Sequence, residues 1–183
     1  MVLIADFPAN YVVTLESATA APSTPSFGFR ANGNLTTAPA IEILVTPVGD
    51  GRAWHGAFFG QRDGLSVLAH TPDPDQLLVV AGGVPYWVPV DAPDSYIVLP
   101  VRPVRSVHCS LARGLIILAG YSNLLAVDRD GRVVWRSADL ASDGFTEVRL
   151  ASTVVVTRGF FAPEDREVET TIDLGRGAIL GRL

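Results

Sequence analysis

Three histidines, one cysteine and nineteen carboxylates carry the polar chemistry open to this chain. His55, His70 and His108 are far apart in sequence, with no pair at i, i+2 or i, i+4. Those are the spacings at which a strand or helix presents two imidazoles to one ion, so no local metal motif is written here. No metal site and no cofactor is expected. His55 sits between Trp54 and Gly56, a setting that suits packing better than ligation. Val107-His108-Cys109 alternates like a strand, which sends His108 and Cys109 to opposite faces and disfavours a Cys–His dyad. The Gly-x-Ser-x-Gly elbow of the hydrolases is absent. No catalytic residue can be assigned. A hydrolase would need His55 or His108 to meet carboxylates such as Asp63 or Asp139 from separate parts of the chain.

The acidic stretches read as structure. Asp128-Arg129-Asp130-Gly131 has the look of a calcium loop but lacks the further carboxylates and closing Glu of an EF-hand, so a tight turn is expected. Glu167 and Glu169 would share one face of a strand. That pairing could serve glycoside hydrolysis, but charge guarding an exposed edge strand explains it better. Gly82-Gly83 has no helix after it to bind phosphate and reads as a turn. Trp54 with Phe58-Phe59, Tyr86-Trp87 and Phe160-Phe161 are expected to fill the core, with one of each adjacent pair turned outward.

The elements that must position these groups are short and apolar. Tyr11–Leu15, Ile41–Val48, Leu77–Ala81, Ser95–Val101, Leu115–Ala119, Leu124–Val127, Val133–Trp135, Thr153–Thr157 and Val168–Ile172 all read as strands. Runs such as LIILA and TVVVT are apolar on consecutive positions, which predicts cover on both faces. Thirteen Pro and 17 Gly break every long helical window; one helical turn is expected at Ser137–Leu140. Residues 18–40, rich in Ala, Pro, Ser and Thr, read as a long loop or linker anchored by Phe27 and Phe29.

The turn of Leu124–Trp135, LLAVDRDGRVVW, has weaker relatives elsewhere. Val48–Trp54, Val88–Asp91 and Ile172–Gly181 share its pattern, and the aligned Asp residues fall at 50, 91, 130 and 173. A period of about 40 residues matches one four-stranded propeller blade. Ala126, Asp128, Gly131 and Trp135 resemble a propeller repeat of the pyrroloquinoline-quinone-like type, with a turn one residue shorter than usual. The resemblance implies that Trp135 docks between neighbouring blades. It implies no quinone site, because no quinone-binding residue of that family has a counterpart here.

The expected fold is therefore all-β: a propeller-like array of antiparallel hairpins and blades, with an irregular β-sandwich as the alternative, in a single domain over 1–183. The chain is 48% hydrophobic and carries a net charge of −5. Its 14 basic residues are all Arg and scattered, so no nucleic-acid partner is expected. The Arg-only usage suits a GC-rich bacterial genome. The absence of Lys excludes Schiff-base and Walker-type chemistry. One Cys permits no internal disulfide. No apolar run approaches the roughly 20 residues of a membrane helix, and no signal peptide is evident, so a cytoplasmic location is expected and no membrane partner. The function that fits is an interaction or scaffold module without catalytic activity, joined by a homo-oligomer partner or another protein. A hydrolase or carbohydrate-active enzyme and a small-ligand-binding regulatory domain are the alternatives.

Overall fold

The structure is a computed structural model that describes residues 2–15, 24–33, 35–49 and 51–183. Residues 18–23 and 34 of the expected loop, and the turn residue Asp50, lie outside the described residues. The chain divides into two compact units, Met1–Pro100 and Val101–Leu183.

The first unit contains β1 (Val2–Ile4), β2 (Tyr11–Leu15), β3 (Ser26–Phe29), β4 (Ile41–Pro47), β5 (Trp54–Phe58), β6 (Val67–His70), β7 (Gln76–Ala81), β8 (Val84–Pro89) and β9 (Ile97–Val98). They form two sheets, in the orders β2-β4-β5-β3 and β1-β6-β7-β8-β9. Pairing is antiparallel except where β1 joins β6 and β3 joins β5. Leu77–Ala81 are buried at every position, as a strand covered on both faces requires. Gly82 and Gly83 both have positive φ and join Ala81 to its partner Val84, the two-residue turn whose twist suits a hairpin. The core packs Phe29, Trp54 and Phe58 of one sheet against Leu77, Val79 and Tyr86 of the other.

The second unit contains β10 (Ser106–Ser110), β11 (Leu115–Ala119), β12 (Leu124–Val127), β13 (Val133–Arg136), β14 (Phe145–Leu150), β15 (Val154–Phe161), β16 (Arg166–Asp173) and β17 (Ile179–Arg182). These make two four-stranded meanders, β10-β11-β12-β13 and β14-β15-β16-β17, antiparallel throughout. Such a meander is the form of a propeller blade. Val67, Ser106 and Phe145 begin the hairpin series of successive sheets at intervals of about 40 residues, the blade period. The protein is all-β and propeller-like, built from four blade-type sheets among the described residues.

One tryptophan joins the two sheets in each unit. Trp135 of β13 donates its indole N–H to the Leu174 carbonyl, 2.8 Å away, at the turn between β16 and β17. Trp54 of β5 donates in the same way to the Val90 carbonyl, also at 2.8 Å, just beyond β8. Both bonds are buried. The docking role that the blade resemblance implies for Trp135 is thus seen, and Trp54 repeats it.

The turns are capped as the sequence suggests, with one shift of register. Asp128 Oδ1 accepts the N–H groups of Asp130 and Arg132, both at 2.9 Å, and Gly131 takes φ 76°. Asp173 Oδ1 accepts from Gly175 and Arg176 at 3.0 and 2.8 Å. The equivalent caps are therefore Asp128 and Asp173; Asp130, aligned from sequence, instead lies 3.3 Å from Arg132 in an exposed ion pair. Replacing Asp128 by Ala removes two charge-assisted bonds from an exposed turn. The expected loss is about 1–2 kcal/mol, read as a lower midpoint in denaturant with an unchanged slope.

Other expectations are corrected. Residues 137–140 are irregular rather than helical: Ser137 Oγ accepts the Leu124 N–H at 2.8 Å and ties the start of the segment to β12. The helical turns are 3-10, at Pro93–Ser95, Leu111–Arg113 and Ala162–Glu164. The expected loop 18–40 contains β3, because Phe29 is fully buried and stacks on Phe58 with ring centroids 4.0 Å apart. Glu167 and Glu169 do share one side of β16, but β16 is an inner strand. Their charge is met locally: Glu169 pairs with Arg158 at 3.0 Å and Arg149 at 3.6 Å.

Candidate functional site

A cleft that holds a serine and a histidine lies in the second unit, along the edge strands β10 and β14. Arg105, Ser106 and His108 line one side, with Thr146 and Glu147 opposite, around a space of about 240 Å³. Ser106 and His108 are two apart on a strand, so pleating sends both side chains to the same face. Ser106 Oγ lies 2.8 Å from His108 Nε2. Burial lowers the His108 pKa below the ordinary imidazole value, so the ring is neutral at pH 7 and can accept the serine proton. Nδ1 has no side-chain partner among the described residues.

The other wall is shaped by a β-bulge. Phe145 pairs with Gly159 and Glu147 with Arg158, which leaves Thr146 as the extra residue. Its hydroxyl lies 2.9 Å from Glu167 Oε1 and 3.2 Å from the Arg158 carbonyl. A bulge redirects side chains locally, and here it places both Thr146 and Glu147 at the cleft.

The remaining sequence candidates are placed elsewhere. His55 is buried in β5, where its Nε2 has no hydrogen-bond partner among the described residues. His70 Nδ1 lies 3.0 Å from the Phe7 carbonyl, and its ring meets Tyr11 edge-on. Asp139 accepts from Ser122 Oγ at 2.8 Å. Neither Asp63 nor Asp139 lines the His108 cleft. Cys109 points away from His108, as strand alternation requires. Among the described residues, no three His, Cys, Asp or Glu side chains are grouped to hold a metal ion. No helix among them is long and apolar enough to cross a membrane.

The Ser106–His108 pair is the candidate that sequence reasoning missed. Its signal is Ser-Val-His, a serine and a histidine at i, i+2 within a strand. That pattern falls outside the His–His and Cys–His spacings that mark metal sites and thiol dyads.

No family model matches the chain, and no curated protein matches it in sequence. Solved structures resemble it at low identity. BamB from Moraxella catarrhalis aligns with 93% of this chain and 52% of its own, at 14% identity and a TM-score of 0.49. Apo AztD from Citrobacter koseri aligns with 97% of this chain and 57% of its own, at 10% identity and a TM-score of 0.49. The N-terminal domain of Nup159 aligns with 99% of this chain and 53% of its own, at 11% identity and a TM-score of 0.44. This chain spans about half the length of each. The blade fold stands on the strand order and register of the chain's own sheets.

Proposed function

We propose that the 183-residue chain works as one interaction or scaffold module, and that its working surface is the outer strands of the second unit. The observation that carries this reading occurs twice. In β13, Val127 pairs with Val133 and Ala126 with Trp135, so Val134 is an extra residue. In β17, Ile172 pairs with Ile179 and Thr171 with Gly181, so Leu180 is extra in the same way. Each bulge breaks the alternation and leaves two consecutive apolar side chains in solvent: Val133 and Val134 at 43% and 46% exposed, Ile179 and Leu180 at 50% and 60%.

Edge strands of natural proteins are usually guarded by charge. The one charge on β17 is drawn inward instead. Arg182 stacks over the Phe161 ring at 4.2 Å, reaches Thr170 Oγ1 at 3.3 Å and approaches Glu164 at 3.7 Å. The outer face of β17 is left apolar, while β13 keeps one exposed charge, Arg136. Clustered exposed apolar side chains mark association surfaces.

The partner proposed is a second copy of this chain. A self-facing patch closes about a two-fold axis without further machinery. Leu180→Arg places a charge on this exposed apolar pair without disturbing the core. Light scattering should give the wild type a concentration-dependent mass above the 19.5 kDa of one chain. The variant should fall to the single-chain mass. A wild type that stays at single-chain mass at every concentration reached would rule this partner out.

The Ser106–His108 geometry favours a second reading, a hydrolase, and its chemistry can be tested independently.

A further inference from the structure

We propose that Ser106 is a nucleophilic serine with His108 as its base, able to take the acyl group of a small activated ester bound between β10 and β14. The chemistry needs a hydroxyl and an unprotonated imidazole nitrogen within hydrogen-bond reach. Ser106 Oγ and His108 Nε2 meet that condition at 2.8 Å, on one face of one strand. The nitrogen involved is the one that faces the nucleophile in serine hydrolases. The pair opens into a cleft of about 240 Å³, room for a short acyl group rather than a polymer. Arg105 also lines this wall, with its guanidinium 6.0 Å from the Tyr121 ring centroid. Without a side chain to orient Nδ1, the pair is a dyad. Slow turnover and a persistent acyl-enzyme are expected.

In the first step Ser106 Oγ attacks the carbonyl carbon while its proton passes to His108 Nε2. The bond to the leaving alcohol oxygen then breaks, and that oxygen takes the proton from His108. Water next adds to the acyl carbon, giving a proton to His108. The Ser106–acyl bond breaks, the carboxylic acid leaves and the proton returns to Ser106 Oγ. The sum is ester plus water to acid plus alcohol, with no further reactant.

The probe is p-nitrophenyl acetate with the full chain. Intact-mass and peptide mass spectrometry should find one acetyl group, on Ser106. Ser106→Ala should abolish it, and His108→Gln should slow it about a hundredfold. The wild-type rate should level off at a pH below about 6.5, the ordinary imidazole value, and fall only under that, because a protonated His108 cannot accept. This profile needs no variant and survives a folding failure in either one. Acetylation of other residues with Ser106 untouched would overturn the proposal. So would a Ser106 label that forms equally fast in a folded His108→Gln. Leu180→Arg should acetylate like the wild type, which separates this result from the fate of the two-copy reading.

Discussion

Trp135→Ala is expected to lower the stability of the second unit by about 3–5 kcal/mol, the usual range for emptying a buried large aromatic site. The ring is 7% exposed and shares a core cluster with Ile117, Leu140, Val155 and Ile172. Removing it also leaves the Leu174 carbonyl without its 2.8 Å donor. The site cannot collapse easily, because its floor is backbone. A Cβ on Gly177 would lie 2.6 Å from the indole ring, so the chain already approaches as closely as a glycine allows. Trp135→Phe separates the two losses. It keeps most of the apolar area and orphans the carbonyl, for an expected cost of about 1–3 kcal/mol. Urea unfolding followed by circular dichroism gives both values. If Trp135→Ala cost no more than Val133→Ala on the exposed side of the same strand, the docking role would be wrong.

Gly60→Ala should be at least as damaging, at about 3 kcal/mol or more, and is expected to yield mostly insoluble protein. The added Cβ would sit 1.9 Å from the Ala81 carbonyl oxygen and 2.4 Å from its carbon. Both obstacles are backbone, so no rotamer change relieves the clash. The Gly82-Gly83 turn is held against this segment by bonds from Gln61 N–H to Gly82 O at 3.0 Å and from Gly83 N–H to Leu65 O at 2.7 Å. Gly82 itself has φ +52° and would meet Gln61 backbone. Gly28→Ala is the control. It lies in β3 with nothing within 4 Å of its Cβ position, so its solubility and midpoint should match the wild type. Equal solubility of the two variants would show that the close approach at Gly60 is not structural.

What could be read from the sequence was local. Tyr11–Leu15, Leu115–Ala119 and Leu124–Val127 are strands with the boundaries that composition suggests. In these, β-branched and apolar residues run between turn formers. Asp128, Gly131 and Trp135 were legible because a hairpin turn and its closing residue lie within one short window. β3 was hidden for the opposite reason. Its four residues, Ser-Phe-Gly-Phe, include no β-branched side chain and sit in a segment rich in small residues, and its pairing with β5 is parallel. Ser95–Val101 shows the limit of propensity. Its apolar run forms only the two-residue β9, since Pro93–Ser95 winds into a 3-10 turn just before it. The cleft was illegible as a site because its walls come mainly from two stretches, 105–108 and 145–148, that lie far apart in the sequence.

The paired indole docks also decide how such a chain can change length. Trp54 needs the Val90 carbonyl of the next sheet, and Trp135 needs that of Leu174. Deleting either acceptor sheet alone would strand an indole and uncover the apolar face beneath it. The outer strands of those acceptor sheets, β9 and β17, carry no tryptophan and make no such demand. Keeping both sheets of a unit together leaves the Trp54 and Trp135 indole N–H groups bonded. Each indole thus ties two sheets into one inseparable unit.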